Sequence, residues 1–342
     1  MKKTLCVLFV LLLAMSTIFA SGQAEKATTS SKDIAKLSVY FVPSRDPETI
    51  ITQTAPLKNL LKEQLAKEGW NVEDVEIAVG TTYEAVGEAL SAGTADVGLI
   101  PGATYVQYDD GCDVILTATR AGLSNDSEDP KVWNQNEPTT ATDTQVVGYR
   151  ALIIAGPSAK GQELAKKVNA GEELTWDDLN SANWAVMGPT SSAGYVYPTI
   201  LLQDKYGKGI RDLQHTVQAD SYASAFARLA SGQVDVLACY ADARRDYESK
   251  WQAEFGAKND IWTDTDCIFV TPYIYNDTVS VSKTSPIMTD EFKAALQDAF
   301  IAIGETPEGL EVISIYSHEG YKKATSADYD GARKAMELSR QN

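Results

Sequence analysis

The sequence predicts an α/β protein made of two similar lobes with a ligand cleft between them. Strand and helix signals alternate along the chain, a pattern typical of parallel sheets covered by helices. The length of 342 residues favours about two domains, and 44% hydrophobic side chains suffice for a sizeable core. A stretch that begins at Tyr83 also recurs at Tyr222, which suggests two related units.

The repeat pairs residues 83–97 with residues 222–236. Each copy has a tyrosine at the helix start, a leucine late in the helix, a glycine, and then Asp-Val opening a strand. Gly93 and Gly232 suit the left-handed position that ends a helix. Two explanations stay open: coincidence between two generic α/β units, or two lobes that present the ends of their sheets to a shared cleft, where ligands bind in such folds.

The first part of the chain supplies the clearest elements. Apolar and β-branched runs predict strands, and leucines at helical spacing predict amphipathic helices. The predicted strands are residues 37–42, 75–79, 97–100 and 114–118, and the predicted helices are 48–67 and 83–92. A polar stretch at 121–145 then interrupts the pattern, and loops of this length are usually functional or disordered.

The pattern resumes after this interruption. The predicted strands are residues 146–155, 184–187, 234–239 and 261–270, and the predicted helices are 160–168, 193–205, 221–231, 289–303 and 326–340. A capping box from Thr325 to Asp328 opens the last helix.

The N-terminus has the pattern of an export signal. Lys2 and Lys3 precede an apolar run at 5–15, and Ala20 is a plausible cleavage site. The run is too short to span a bilayer, and it has no polar face that would make it the first helix of the fold. A lipid anchor needs a cysteine just after this run, and the only nearby cysteine, Cys6, lies inside it. We expect a signal peptide at 1–20, a flexible linker at 21–35, and a soluble periplasmic protein.

The net charge of the chain limits the classes of partner that it can bind. The chain carries 30 basic and 47 acidic residues, a net charge of −17, so nucleic acid and anionic membranes are poor candidates. A local site can still oppose this field and bind an anion. Three cysteines follow the signal: Cys112, Cys239 and Cys267. They are either small buried side chains or include one Cys239–Cys267 disulfide, and their spacing suggests no metal site.

The segment Gly188-Pro189-Thr190-Ser191-Ser192-Ala193-Gly194 is the clearest candidate for a binding site. It follows an apolar strand and opens an apolar helix. A helix start has unpaired N–H groups and a partial positive charge, and small residues let a ligand approach the backbone. A tetrahedral oxyanion such as a phosphonate fits this chemistry. The alternative is an ordinary N-cap, but that needs only one hydroxyl.

The sequence does not favour an enzyme. The segment lacks the spacing of a nucleophile elbow, and no phosphate-binding P-loop or dinucleotide fingerprint occurs. The only histidines, His215 and His318, lie outside any recognisable motif. We therefore predict no catalytic residue, no cofactor and no metal.

Several motifs in order give the chain a family resemblance. They are VPSRDPETI, APLKNLLKEQLAKEG, YEAVGEALSAGTADVGLIPGATYV, YRALIIAG, TSSAGYVYP and YASAFARLASGQVDVLACYAD. Together they resemble the PhnD-like phosphate/phosphite/phosphonate substrate-binding proteins of ABC transporters. The resemblance implies a type II periplasmic-binding-protein fold, two Rossmann-like lobes joined by two hinge strands. It places lobe one at 36–147 plus 273–342 and lobe two at 148–272, with the hinges near Tyr149 and 268–275.

The resemblance also implies binding residues. The family's anion loop falls on Ser191, Ser192, Ala193 and Gly194, beside Thr190, and Ala193 departs from the family pattern by lacking a hydroxyl. Ligand-contacting tyrosines fall on Tyr83 and Tyr105. Tyr222 stands where relatives often have histidine, and Asp242 falls on the acidic residue that holds the amine of an aminophosphonate.

These expectations define a function to be tested. The chain would be a monomeric solute receptor that captures a phosphonate, phosphite or phosphate and delivers it to an ABC permease. Three alternatives stay open: a cationic amine metabolite held by Tyr40, Tyr83, Tyr105 and Tyr240, a sensor ectodomain, and an enzyme.

Overall fold

The computed structural model of the protein describes residues 32–135 and 137–340. The predicted signal peptide at 1–20 lies outside this range, as does most of the predicted linker at 21–35. The first strand begins at Asp33, so the linker prediction extends too far. Within the described part of the chain, no helix is long and apolar enough to cross a membrane.

The strands form two sheets and a short separate pair. In chain order they are β1 (Asp33–Phe41), β2 (Asn71–Val79), β3 (Val97–Ile100), β4 (Cys112–Leu123), β5 (Ala141–Val146), β6 (Gly148–Tyr149), β7 (Ala151–Ala155), β8 (Trp184–Val186), β9 (Thr216–Gln218), β10 (Val236–Tyr240), β11 (Asp266–Val270), β12 (Ile274–Tyr275), β13 (Thr278–Ser282) and β14 (Gly320–Lys323).

The helices cover the two sheets. In chain order they are α1 (Pro47–Thr54), α2 (Leu57–Lys67), α3 (Tyr83–Ala92), α4 (Gly102–Gln107), α5 (Ala159–Asn169), α6 (Trp176–Asn180), α7 (Tyr197–Tyr206), α8 (Tyr222–Ala230), α9 (Ala243–Ala253), α10 (Ile261–Asp264), α11 (Asp290–Gly304), α12 (Pro307–Ile313) and α13 (Asp330–Arg340). A π turn, Ser192–Val196, leads into α7.

The two sheets share one pattern over five strands. In the first sheet β2, β1 and β3 run parallel, and β13 and β4 continue in antiparallel pairing. In the second sheet β9, β8 and β10 run parallel, and β7 and β11 continue in the same way. Each sheet belongs to one lobe, and the prediction of two similar α/β lobes is confirmed.

The sequence repeat falls on matching elements of the two lobes. Its first copy forms α3 and β3, and its second copy forms α8 and β10. Gly93 and Gly232 both follow their helix with positive φ angles of 73° and 72°, because glycine reaches the left-handed region without a steric penalty. The repeat is therefore a structural one.

Two short strands join the lobes. In the antiparallel pair β6–β12, Tyr149 lies opposite Ile274. β6 leads into β7 of the second sheet, and β12 leads back into β13 of the first sheet. These strands are the two hinge crossings of the chain. The lobe boundaries expected from the sequence, 36–147 plus 273–342 and 148–272, remain a prediction.

Two predicted elements are wrong in part. The single helix predicted at 48–67 is two helices, because Pro56 lacks the N–H and the free space needed in a helix interior. The strand predicted at 261–270 begins as the helix α10. Asp260 caps that helix by accepting hydrogen bonds from the backbone N–H groups of Trp262 and Thr263.

Three further segments differ from the prediction. The polar stretch at 121–145 is not a loop throughout: β4 extends to Leu123 and pairs with β5, and we call this pair the β4–β5 ribbon. The strand predicted at 146–155 is interrupted and forms the end of β5, then β6 and β7. The helix predicted at 326–340 begins as a 3-10 turn, which the predicted capping box of Thr325 and Asp328 opens.

The cysteines are buried and unpaired. Cys112, Cys239 and Cys267 are all free thiols in the described residues, so the Cys239–Cys267 disulfide is excluded here. Burial raises the pKa of Cys267 to about 12, which leaves the thiol protonated and unreactive. These side chains serve as small apolar packing groups.

Candidate functional site

A small cavity lies between the lobes at the carboxyl ends of the parallel strands. Its volume is about 40 Å³, room for a few water molecules or a small tetrahedral ion. The first lobe contributes Ser44, Arg45, Tyr83, Arg120, Asp277 and Tyr316 to its wall. The second lobe contributes Ser191, Ser192, Ala193, Tyr222 and Tyr240, and the hinge contributes Tyr149.

The second-lobe wall is built by residues 188–194, which we call the serine loop. Ser191 is the N-cap of the π turn, and its hydroxyl accepts a hydrogen bond from the Gly194 N–H at 3.2 Å. The backbone N–H groups of Ser192 and Ala193 have no acceptor among the described residues. Both residues line the cavity, so this helix start offers unpaired donors to an anion.

Buried hydroxyl groups surround the serine loop. Ser191, Tyr83 and Tyr222 all line the cavity, and the Ser191 hydroxyl lies close to both phenols. Burial raises the pKa of both tyrosines, which keeps them neutral and able to donate. The hydroxyl of Ser192 accepts from the Ala103 N–H at 3.2 Å, and its own proton is then free to reach a ligand.

Two arginines of the first lobe, Arg120 buried and Arg45 half-buried, place guanidinium groups in the cavity wall. Arg45 lies 2.8 Å from the Asp246 carboxylate, and its guanidinium stacks 4.9 Å from the ring centroid of Tyr240. Arg120 lies 2.9 Å from Asp242, and its guanidinium is 4.2 Å from the ring centroid of Tyr149. Stacking on an aromatic face and pairing with a carboxylate fix both groups in place.

Hydrogen bonds between the lobes close the cleft around this cavity. Thr104 of α4 donates to the carbonyl oxygen of Thr190 at 3.1 Å. The hydroxyl of Thr190 in turn donates to Glu84 at 3.1 Å. With the Ser192–Ala103 bond and the two arginine pairs, these contacts join residues of both lobes on several sides of the cavity.

Most of the chain matches one known protein family. Residues 39–329 match the model of the family described as ABC transporter, phosphonate, periplasmic substrate-binding protein. The chain belongs to this family. A phosphonate-family protein of this kind is a substrate-binding component of a transporter and not an enzyme. No curated protein sequence matches the chain closely enough to add to this assignment.

Solved structures show which fold this substrate-binding protein adopts. It resembles a binding protein of an ABC phosphonate transporter from Pseudomonas aeruginosa, with a TM-score of 0.64, 14% identity, and coverage of 90% of this chain and 87% of that one. PhnD1 from Prochlorococcus marinus in complex with methylphosphonate gives a TM-score of 0.63, 14% identity, and coverage of 90% and 99%. The fold is that of the type II periplasmic binding proteins.

A third structure has a different ligand in its description. The Mycoplasma hyorhinis protein Mh-p37, a putative thiamine pyrophosphate transporter, gives a TM-score of 0.62 at 13% identity and covers 87% of this chain and 98% of that one. The fold is therefore shared by proteins described with different solutes. The side chains of the cavity must decide which solute this substrate-binding protein takes.

The structure brings most of the predicted binding residues together. Tyr83, Ser191, Ser192, Ala193 and Tyr222 all line the cavity. Tyr222 packs edge-on against Tyr240 with ring centroids 5.0 Å apart.

Other predicted residues lie next to the cavity without lining it. Thr190 bonds across the cleft, as described above. Gly194 ends the serine loop and packs against Met187, where a Cβ would come within 2.6 Å of the Met187 side chain. Tyr105 packs edge-on against Tyr329 with ring centroids 5.3 Å apart, and Arg333 lies over its ring. Tyr105 therefore supports the first lobe instead of the cavity wall.

Asp242 conflicts with its predicted role. Its side chain is 2% exposed and bonds to Arg120 at 2.9 Å and to Arg245 at 3.1 Å. It lines a neighbouring cavity of about 200 Å³ under the β4–β5 ribbon, and it is not part of the wall of the first cavity. Both carboxylate oxygens are directed to guanidinium groups and not to the first cavity, so the structure does not place Asp242 where it could hold a ligand amine.

Several wall residues were not among those predicted from the sequence. Arg45 directly follows Ser44 in the motif after the first strand, so its position at a strand end was a usable signal. Arg120 lay just beyond the strand predicted at 114–118. Asp277 had no local signal, because only the return of the chain through β12 brings it to the cavity. Among the described residues, no group of three His, Cys, Asp or Glu could hold a metal ion.

Proposed function

We propose that this chain captures a small phosphorus oxyanion, a phosphonate, phosphite or phosphate, and delivers it to an ABC permease. One observation carries the proposal: Ser192 and Ala193, whose backbone N–H groups have no acceptor in the described part of the chain, line the same small cavity as Arg45 and Arg120. Backbone donors at a helix start and guanidinium groups are the two groups that proteins most often use for such oxyanions.

The size of the cavity supports a small ligand. About 40 Å³ suits an ion of a few heavy atoms better than a nucleotide or a vitamin. Methylphosphonate, the ligand named for the similar structure from Prochlorococcus marinus, is an ion of this size. The proposed ligand contacts are Tyr83, Ser191, Ser192, Ala193 and Tyr222, all predicted from the sequence, together with Arg45 and Arg120.

Substitution of the serine loop tests the proposal. Replacing Ser191 and Ser192 together by Ala should weaken binding of methylphosphonate, phosphite or phosphate by at least tenfold, because a hydrogen bond to a charged group is worth about 1.5–3 kcal/mol. Calorimetry measures the affinity, and thermal unfolding checks that the variant folds. Ser231→Ala, an exposed serine at the end of α8, is the matched control. Equal affinity in both variants contradicts the site.

A cationic solute is the second candidate. The rings of Tyr83, Tyr149, Tyr222, Tyr240 and Tyr316 border the cavity together with the carboxylate of Asp277. Aromatic faces and a carboxylate attract quaternary amines. A ligand at 100 times its dissociation constant stabilises the folded protein by about 2.7 kcal/mol, so a thermal-shift screen of phosphorus oxyanions against choline-like cations separates the two candidates.

We further propose where the protein works and in what form. The family is exported, and we place cleavage after Ala20, releasing a soluble periplasmic monomer with lobes at 36–147 plus 273–342 and at 148–272. Mass spectrometry of the exported protein should find an unlipidated terminus at or near Ser21. Light scattering should give the mass of one chain, and a lipid-modified terminus contradicts the proposal.

A further inference from the structure

The second cavity, of about 200 Å³, lies under the β4–β5 ribbon, and we call it the ribbon cavity. Its inner wall contains the buried residues Trp133, Tyr149 and Ala241. Toward solvent it is bordered by Leu123, which is half-buried, and by Tyr273, which is 44% exposed. A protein cavity of about 150 Å³ with apolar walls can hold benzene. The ribbon cavity therefore has room for a molecule built on one ring.

The charged residues that line the ribbon cavity are paired with one another. The guanidinium of Arg120 lies 2.9 Å from the Asp242 carboxylate, and the Nε atom of Arg150 lies 2.8 Å from the Asp126 carboxylate. These two basic and two acidic residues give the wall no net charge. The other lining residues are aliphatic, aromatic, glycine or threonine. A charged molecule would lose its hydration here without meeting an unpaired counter-ion, whereas a neutral ring would bury apolar surface.

The walls of the ribbon cavity come from both lobes. Leu123 belongs to β4 of the first sheet, and Ala241 directly follows β10 of the second sheet. Trp133 lies between β4 and β5, and its carbonyl oxygen accepts a hydrogen bond at 3.0 Å from the guanidinium of Arg244, a residue of α9. The cavity therefore has this shape when the lobes are in the closed arrangement of this structure.

We propose that the ribbon cavity is a second binding site, which takes a neutral molecule built on a single aromatic ring, and that its occupant stabilises the closed arrangement of the lobes. A ligand shifts an equilibrium toward the arrangement that it binds better. Arg120 and Tyr149 line both cavities, so the same arrangement forms the oxyanion cavity. Binding at the two sites is then cooperative, and each ligand raises the affinity for the other by the same factor. The cooperativity rests on the proposed function, and the second site does not.

Three compounds with the same ring test the second site in calorimetry at pH 7: benzyl alcohol, benzoate and benzylamine. They are neutral, negative and positive, and they differ little in size. The wild-type protein should bind benzyl alcohol about tenfold or more tightly than either charged compound, because only the neutral ring keeps no charge to desolvate. Absence of benzyl alcohol binding, or a charged compound that binds as tightly, overturns the site.

Substitutions that fill the ribbon cavity place the bound ring. Leu123→Trp should abolish benzyl alcohol binding, because the indole occupies the space of the ligand. Thr142→Trp, at an exposed position on β5 that also lines the cavity, should do the same if Leu123→Trp does not fold. Leu310→Trp, at a position of α12 that is 36% exposed and outside the cavity, should match the wild type. Unchanged affinity for benzyl alcohol in a folded filling variant overturns the ribbon cavity as its site.

Titrations with both ligands test the cooperativity. Saturating benzyl alcohol should raise the affinity for methylphosphonate about fivefold or more, and saturating methylphosphonate should raise the affinity for benzyl alcohol by the same factor. Independent binding overturns the cooperativity, and competition places the ring in the first cavity and overturns the second site. If no phosphorus compound binds the wild type, the proposed function is wrong, and the benzyl alcohol titrations of the wild type and the filling variants still decide whether the second site exists.

Discussion

Asp96 and Asp235 occupy equivalent positions in the two lobes and make the same hydrogen bonds. Each comes just before the central strand of its sheet and accepts from a backbone N–H of the neighbouring strand segment, Ser38 at 2.8 Å and Asn183 at 2.7 Å. A serine hydroxyl completes each arrangement at 2.6 Å, Ser285 for Asp96 and Ser158 for Asp235. The sequence repeat thus preserves a hydrogen-bonding unit that joins the start of one strand to the next.

Removing either carboxylate should therefore destabilise its lobe. Asp96→Ala and Asp235→Ala each leave several donors unpaired, and we expect a loss of about 2–4 kcal/mol in the free energy of unfolding. Urea unfolding followed by tryptophan fluorescence measures the loss. Asp110→Ala, at an exposed site, should change it by less than about 0.5 kcal/mol. If both variants lose as little free energy of unfolding as Asp110→Ala does, the role assigned to the two carboxylates is wrong.

The buried pair Arg120–Asp242 should behave as a unit. Asp242→Asn leaves the Arg120 charge without its carboxylate, and breaking a buried pair costs about 3–5 kcal/mol. The double variant Arg120→Met, Asp242→Leu should be more stable than Asp242→Asn, because no charge stays buried. A double-mutant cycle in urea measures the coupling, and additive losses show that the pair is not coupled.

Gly194 should tolerate no side chain. A Cβ at this position would lie 2.4 Å from the Met187 Cγ atom and 2.9 Å from the Tyr222 hydroxyl. Gly194→Ala should cost about 1–3 kcal/mol of stability by overpacking, and it should weaken oxyanion binding by displacing the serine loop. Gly331→Ala is the control, since nothing lies within 4 Å of its Cβ, and it should be neutral or stabilising. Thermal unfolding and calorimetry report both effects.

Asp178 should make the second lobe sensitive to acid. Burial alone would raise the pKa of this carboxyl, but hydrogen bonds from Lys167 and from Thr175 outweigh burial and lower it to about 2. The stabilisation is complete above the unfolded pKa of about 4 and is lost as the pH falls toward 2. Asp178→Asn should cost about 1–2 kcal/mol at pH 7, and this difference should vanish near pH 2.

Local patterns in the sequence predicted much of the fold. The helix Tyr83–Ala92 and the strand Val97–Ile100 were predicted with their observed bounds, because a cap, helical spacing and a terminal glycine all agree there. The prediction of a strand over 261–270 was wrong for its first residues, because apolar residues there suit a strand or a buried turn of helix equally well. The N-cap at Asp260 favours the helix over Ile261–Asp264.

Local patterns in the sequence predicted only some of the residues that line the cavity. The serine loop is contiguous, and its hydroxyls and small residues identify it in one segment. Arg120 and Asp277 are far apart in the chain, and β4 and the hinge strand β12 bring them to one wall. The pairing that removes Asp242 from the cavity depends on the side chain of Arg120, which no local pattern in the sequence reveals.

The bonds across the cleft have a consequence for how sensitive the receptor is to its solute. Thr104 and Thr190 join the lobes without lining the cavity, so their hydrogen bond contributes equally to closure around any ligand. Changing such a bond alters the fraction of molecules that are closed and multiplies every dissociation constant by one factor, leaving the ranking of ligands intact. Sensitivity to a scarce or abundant nutrient can therefore evolve separately from chemical selectivity.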